Sequence, residues 1–396
     1  QRVERYAQRL DLLAQELKVG LRLALELELP VIEAAYYQLG NAFKRSGDHD
    51  KAIENFSKVV TAENVPEEFR SLVQFQVAET RFLQREFGEA AKEYKRYVEL
   101  FPTSEFAGQA YFYAGWSEFH QKQYDLAVRT LESMLADPSY TDDRYAPDAR
   151  FRIASSYFEK GDYQRTIDEA QSVLEVYPSS PVIAQAVYLK AQAYDKLGSS
   201  DEAIASYREV RDLYDRMYEL LRGSFREGKN VDFENYRELF ETSSLRIAEI
   251  FRKKGQFEEA YSELIAAQET AEERFYKAKV QMRLGDNFME WKRFDDAWKA
   301  YDQVINLYSD TPYPPNAQYQ KGEARYFGGA YEDARADYLS VIQNYPDSET
   351  SLRAASLYSA GWSSEKLGDA DGALELYAQV AENFSRSEQA PRCLLR

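Results

Sequence analysis

One cysteine, Cys393, two histidines and four methionines are all that 396 residues contain of soft and imidazole ligands. A lone cysteine excludes a disulfide framework and a Cys-based zinc site. His49 and His120 lie far apart and in no metal spacing. No apolar run approaches the roughly 18–20 residues that span a bilayer. Basic charge is also short: 50 Lys and Arg stand against 67 Asp and Glu, a net of −17. That sign argues against a nucleic-acid backbone as ligand, because phosphate binding needs a basic surface. No Ser/His/Asp set, HExxH, P-loop or GxGxxG occurs. The many acids alternate with Lys and Arg at three to four residues, the pattern of solvated helix faces. No catalytic residue, cofactor or metal is therefore expected. What remains is a chain with 44% hydrophobic and 30% charged residues, which folds rather than staying disordered. Its 31 Tyr and 22 Phe need a structural reason.

The reason is a repeat. A small residue is followed twelve positions later by a second one at Gly40/Ala52, Ala78/Ala90, Gly115/Ala127, Ala154/Thr166, Ala191/Ala203, Ala248/Ala260, Gly285/Ala297, Gly322/Ala334 and Gly361/Ala373. Successive first members lie 38, 37, 39, 37, 57, 37, 37 and 39 residues apart. Four residues after the second member comes Phe56, Tyr94, Leu131, Tyr207, Leu264, Tyr301, Tyr338 or Tyr377, with Ala170 the exception. A turn, often Gly with an aromatic, separates the two members, and Phe101-Pro102, Tyr177-Pro178 and Tyr345-Pro346 close three units. Each unit thus predicts helix A, a short turn and helix B, with small residues where the helices approach. One such hairpin cannot bury its apolar face alone, so neighbours must stack.

This pattern resembles the tetratricopeptide repeat over nearly the whole chain, through Gly40, Phe43, Ala52 and Phe56, and again through Ala78, Ala90, Tyr94 and Pro102. The resemblance implies an all-α, right-handed superhelical solenoid of about nine helix-turn-helix units. Periods three to five residues longer than usual, with Tyr-Pro-x-Ser junctions, look like the envelope tetratricopeptide proteins of Gram-negative bacteria. These include the lipoprotein of the outer-membrane β-barrel assembly machine and the periplasmic partner of the Tol-Pal system.

Two places break the repeat. Residues 1–32 read as an N-terminal capping helix or helix B of a truncated earlier unit, Leu-rich at Leu10, Leu13, Leu17, Leu21 and Leu25, with a coiled-coil or anchoring helix as the alternative. The 57-residue interval holds about twenty extra residues, predicting a long helix over 201–222, a loop over 223–231 and a second long helix to Lys254. The expected organisation is units 1–5 over 33–210, an inserted hairpin over 211–241, units 6–9 over 242–390, and the start of a further helix over 391–396. The hairpin is either a docking element or a spacer. Gln1 in place of Met, and the uncapped EQAPRCLLR at the other end, lead to the expectation that the natural protein extends past both ends.

In the resembled family, helix A lines the inner face. Counting from the first small residue puts Phe75, Phe82, Phe112, Trp116, Phe119, Phe151 and Phe158 on that face in units 2–4, and Tyr319, Tyr326, Phe327, Tyr358 and Trp362 in units 8–9. Units 6 and 7 are polar there. Exposed aromatic patches of this size mark an interface, and Trp116 is the expected anchor; with the first small residue numbered 8 in each unit, the competing reading packs positions 5 and 12 between adjacent helices A as core. The Lys and Asn set of the chaperone-type carboxylate clamp is incomplete, with Tyr37 where Lys is needed beside Asn41. The resulting expectation is a non-catalytic scaffold that binds other proteins or peptides, periplasmic or outer-membrane-associated, with any lipid anchor outside this chain. The alternatives are a glycan-binding module of an exopolysaccharide secretion system and a cytoplasmic adaptor.

Overall fold

The computed structural model describes residues 31–140, 143–224 and 233–393. Among them are nineteen α-helices and no strand. They fall into two compact bodies that meet in sequence at Ser199 and Ser200. The first holds α1 (Val31–Arg45), α2 (His49–Val60), α3 (Glu67–Leu83), α4 (Phe87–Leu100), α5 (Ala107–His120), α6 (Tyr124–Ala136), α7 (Ala146–Lys160), α8 (Tyr163–Val176) and α9 (Ile183–Leu197). The second holds α10 (Ser200–Ser224), α11 (Phe233–Lys253), α12 (Phe257–Thr270), α13 (Arg274–Glu290), α14 (Phe294–Leu307), α15 (Pro314–Phe327), α16 (Tyr331–Asn344), α17 (Thr350–Lys366), α18 (Ala370–Asn383) and α19 (Ala390–Cys393). Within each body every helix packs on the next, giving the stacked hairpins of a solenoid. The expectations for residues 1–30, for the loop over 225–232 and for residues 394–396 lie outside the described residues.

Two devices repeat. The first is close packing. The second small residue of each pair is buried, from Ala52 to Ala373. The first, where it is glycine, faces the large side chain sixteen positions later. A Cβ on Gly322 would stand 2.7 Å from Cε1 of Tyr338, and one on Gly115 would stand 2.5 Å from Cγ of Leu131. Glycine in helix A is thus the space that a large helix B residue occupies. Tyr301, Tyr338 and Tyr377 bury their rings there and donate their hydroxyls to Asp286 Oδ1 (2.9 Å), Glu323 Oε1 (2.6 Å) and Glu365 Oε1 (2.9 Å) of helix A. A buried hydroxyl needs such an acceptor, so acids on the inner face are partly explained by tyrosines beneath them.

The second device is the turn. Seven residues after the first small residue the backbone is left-handed in all nine units, which ends helix A and starts helix B. Six units use glycine there, such as Gly161 at φ 79°, but Arg85, Lys122 and Lys292 adopt φ 62°, 60° and 60°. Asp162 and Asp369 then cap their helices B, accepting from Arg165 N (3.2 Å) and Gly372 N (3.0 Å).

The 57-residue interval contains the two long helices α10 and α11, of 25 and 21 residues, packed on each other. The Tyr214 and Phe240 rings meet between them, tilted, with centroids 4.6 Å apart. Arg208 and Arg211 of α10 both reach Glu263 of α12, at 2.9 and 2.7 Å.

Candidate functional site

In the second body, α15 opens with Pro314-Pro315, which suits a helix start because neither lost N–H has an intrahelical partner. From there Tyr319, Glu323 and Tyr326 follow at i, i+4 and i+7, one stripe of the helix. Helix α17 sets Tyr358 and Trp362 one turn apart. The two stripes meet. Tyr326 and Trp362 have centroids 6.4 Å apart, Tyr358 and Trp362 5.4 Å, and Tyr319 and Tyr338 5.5 Å. They line a cleft of about 200 Å³ that also takes in Phe327 and Glu323, with Gln389 and Arg392 at its edge. All five aromatic residues singled out for units 8–9 are in its lining. Phe327 is 57% exposed and Trp362 37%, whereas Tyr358 is buried at 9%.

The cleft floor is polar but neutral around one carboxylate. Burial, with Glu323 second, pushes the Tyr319 phenol up to about 12. The same two causes push Tyr338 up. Tyr319 and Ser359 hydroxyls lie 3.3 Å apart. Flat aromatic walls, a carboxylate on the floor and a guanidinium at the rim suit an amphipathic segment. They supply no nucleophile–base pair.

The aromatics of units 2–4 are arranged differently. Phe75 and Phe112 are 3% and 4% exposed, so the groove expectation is corrected for both. Phe75 lies among Tyr94, Tyr97 and Phe106, and Phe112 lies against Tyr145 and Trp116. In these two units the residue three before the first small one packs among the unit's own helix B and the start of the next unit. Phe82 and Trp116 are half-buried and touch each other at 5.4 Å, with Tyr113 and His120 around them. Phe119 meets Tyr124, and Phe158 meets Tyr163. Phe151 packs beside the Ala154–Ala170 core. Trp116, expected as a free anchor, is therefore wedged into a ring cluster and capped by a residue that sequence reading missed. The Arg152 guanidinium lies 5.0 Å from Trp116, 4.9 Å from Phe119 and 5.8 Å from Phe151. Its signal was a cation placed between Phe151 and Ile153 on an inner-face helix. Burial lowers the His120 imidazole, and Arg152 and Arg85 lower it further.

Elsewhere the inner positions are ion-paired. Lys44 reaches Glu79 and Gln76, Arg252 reaches Glu290, and Glu249 takes Arg246 and Lys253.

Residues 107–230 match the family model described as outer membrane lipoprotein. Residues 33–65, 316–348 and 355–387 match tetratricopeptide-repeat models. DnaJ homolog subfamily C member 3 of Gallus gallus is 21% identical over 325 residues, 78% of this chain and 59% of its own length. The chain thus spans under two thirds of that relative. The C-terminal part of a TPR repeat-containing protein from Cytophaga hutchinsonii shares the fold at 15% identity and TM-score 0.50, over 72% of this chain and 99% of that one. The apo form of RapI gives TM-score 0.44 at 14% identity, over 69% and 96%. The repeated helix hairpins and the repeat models over residues 33–65, 316–348 and 355–387 show tetratricopeptide repeats in this chain, and residues 107–230 resemble an envelope lipoprotein family.

Proposed function

We propose that this interaction scaffold works without catalysis in a bacterial envelope assembly and binds a segment of a partner protein in the aromatic cleft of units 8–9. The observation that carries the binding reading is the convergence of Tyr319, Tyr326, Phe327, Tyr358 and Trp362 on one cleft with Phe327 and Trp362 left open to solvent. Aromatic anchors with partly wet faces are the residues that dominate protein interfaces. Support for the envelope setting comes from the match of residues 107–230 to outer membrane lipoproteins. Among the described residues no helix is long and apolar enough to cross a membrane.

The test places a photo-crosslinking benzoylphenylalanine at position 327 of the full-length product in its native cells. Leu374, which is 55% exposed on α18, serves as the control position. The reading expects one envelope protein crosslinked from 327 and not from 374, and recovery of the tagged protein with the outer-membrane fraction. Identical adducts from both positions would remove the cleft from the account. Crosslinks only to cytoplasmic proteins would remove the envelope.

A further inference from the structure

Arg152 stands in the first body, far in sequence from the cleft of units 8–9, and its surroundings pose a separate question. A guanidinium stripped of water normally finds a carboxylate. The cations at the same register of other units do so: Arg246 with Glu249 and Arg283 with Asp286, both at 2.9 Å. Arg150, two residues earlier, pairs with Glu169 at 3.0 Å. Arg152 instead lies against Trp116, Phe119 and Phe151, and its buried Nε meets no acceptor. Asp148, one turn back, is the nearest acid that acts on it, through space and without an ion pair. Burial brings the guanidinium down to about 10, the mark of a cation missing its counter-charge.

Stacking on ring faces leaves the in-plane N–H edge of a guanidinium available, and that edge matches a carboxylate with two parallel hydrogen bonds. We propose that Arg152 receives a single Asp or Glu side chain from an extended segment of a partner protein, flanked there by apolar or aromatic residues that settle on Phe82, Phe119 and Phe151. The charge balance argues for one carboxylate rather than an acidic run. Farther along the same unit, Lys160 is paired with Asp125 and Arg165 with Asp162, while Asp148 and the exposed Glu159 would repel a second acid. The net charge of −17 adds to that repulsion.

The experiment is selection of a displayed 12-residue random peptide library on the intact chain, in parallel on Arg152→Gln, Arg152→Lys and Arg152→Met, followed by calorimetric titration of selected peptides. Wild type should enrich peptides with one Asp or Glu beside aromatic or aliphatic residues. Replacing that acid by its amide in the peptide should weaken binding by about tenfold or more, as expected when a buried charge pair loses one member. Arg152→Gln should lose the enrichment. Arg152→Lys should not restore it, because an ammonium lacks the planar fork. Arg152→Met keeps the packing on the rings and guards against misfolding, and the acid-to-amide swap tests the contact on an unaltered protein. Trp362→Ala should leave this binding unchanged, which separates its failure from that of the units 8–9 cleft. Selection of peptides without an acid, of none at all, or of peptides that bind Arg152→Met as well as wild type would overturn the proposal.

Discussion

Gly322 carries the packing argument at the scale of one residue. Its missing side chain is the room that the Tyr338 ring fills, and the ring hydroxyl is held by Glu323 one residue on. Gly322→Ala should overpack that contact and cost about 1–3 kcal/mol, partly offset by roughly 0.5–1 kcal/mol of regained helix propensity, for a net loss read by urea unfolding. Gly88→Ala is the control: its nearest neighbour is the flexible Gln121 Oε1 at 3.4 Å, so the change should be neutral or stabilising. The small residues were legible because packing tolerates nothing larger there. Their large partner sixteen positions on showed in the sequence only as a recurrence, because periodicity within one helix does not reveal a tertiary contact. The same limit explains Phe75 and Phe112. Their position looks like an exposed stripe until the unit's own helix B and the next unit cover it. Arg152 stayed hidden because a lone cation on a helix ordinarily reads as solvated.

At the scale of the element, the turn sets the repeat. A left-handed residue is required at each A–B junction whether or not glycine supplies it. Glycine marked six turns in the sequence, while Arg85, Lys122 and Lys292 left the other three unmarked. A non-glycine residue in that region bears about 1 kcal/mol or more of strain. Lys122→Gly should therefore stabilise by up to about 1 kcal/mol after allowing for the greater freedom of glycine in the unfolded chain. Gly161→Ala should destabilise by about 1 kcal/mol at the equivalent site. Thermal unfolding of the two variants checks both signs. The long helices α10 and α11 were legible for a simpler reason: twenty residues beyond the period, helical in composition, fit only a lengthening of both members of a hairpin.

At the scale of the whole molecule, each hairpin depends on its neighbours. Ala127 is wholly buried between α5 and α6, so Ala127→Leu should cost about 1–3 kcal/mol. Hydrogen exchange should then show protection lost most in α3–α8 and least in α15–α18, since nearest-neighbour coupling confines the damage. Equal loss along the chain would contradict a quasi-one-dimensional array. The functional claim is equally local, and one measurement reaches it most directly. The partner segment crosslinked at position 327 is titrated against wild type and Trp362→Ala, with unfolding midpoints recorded alongside. Losing an aromatic anchor at the centre of an interface typically costs at least about 2 kcal/mol, roughly thirtyfold in affinity. The account predicts that loss with the second body still folding cooperatively. An unchanged affinity after removal of the Trp362 indole would contradict it.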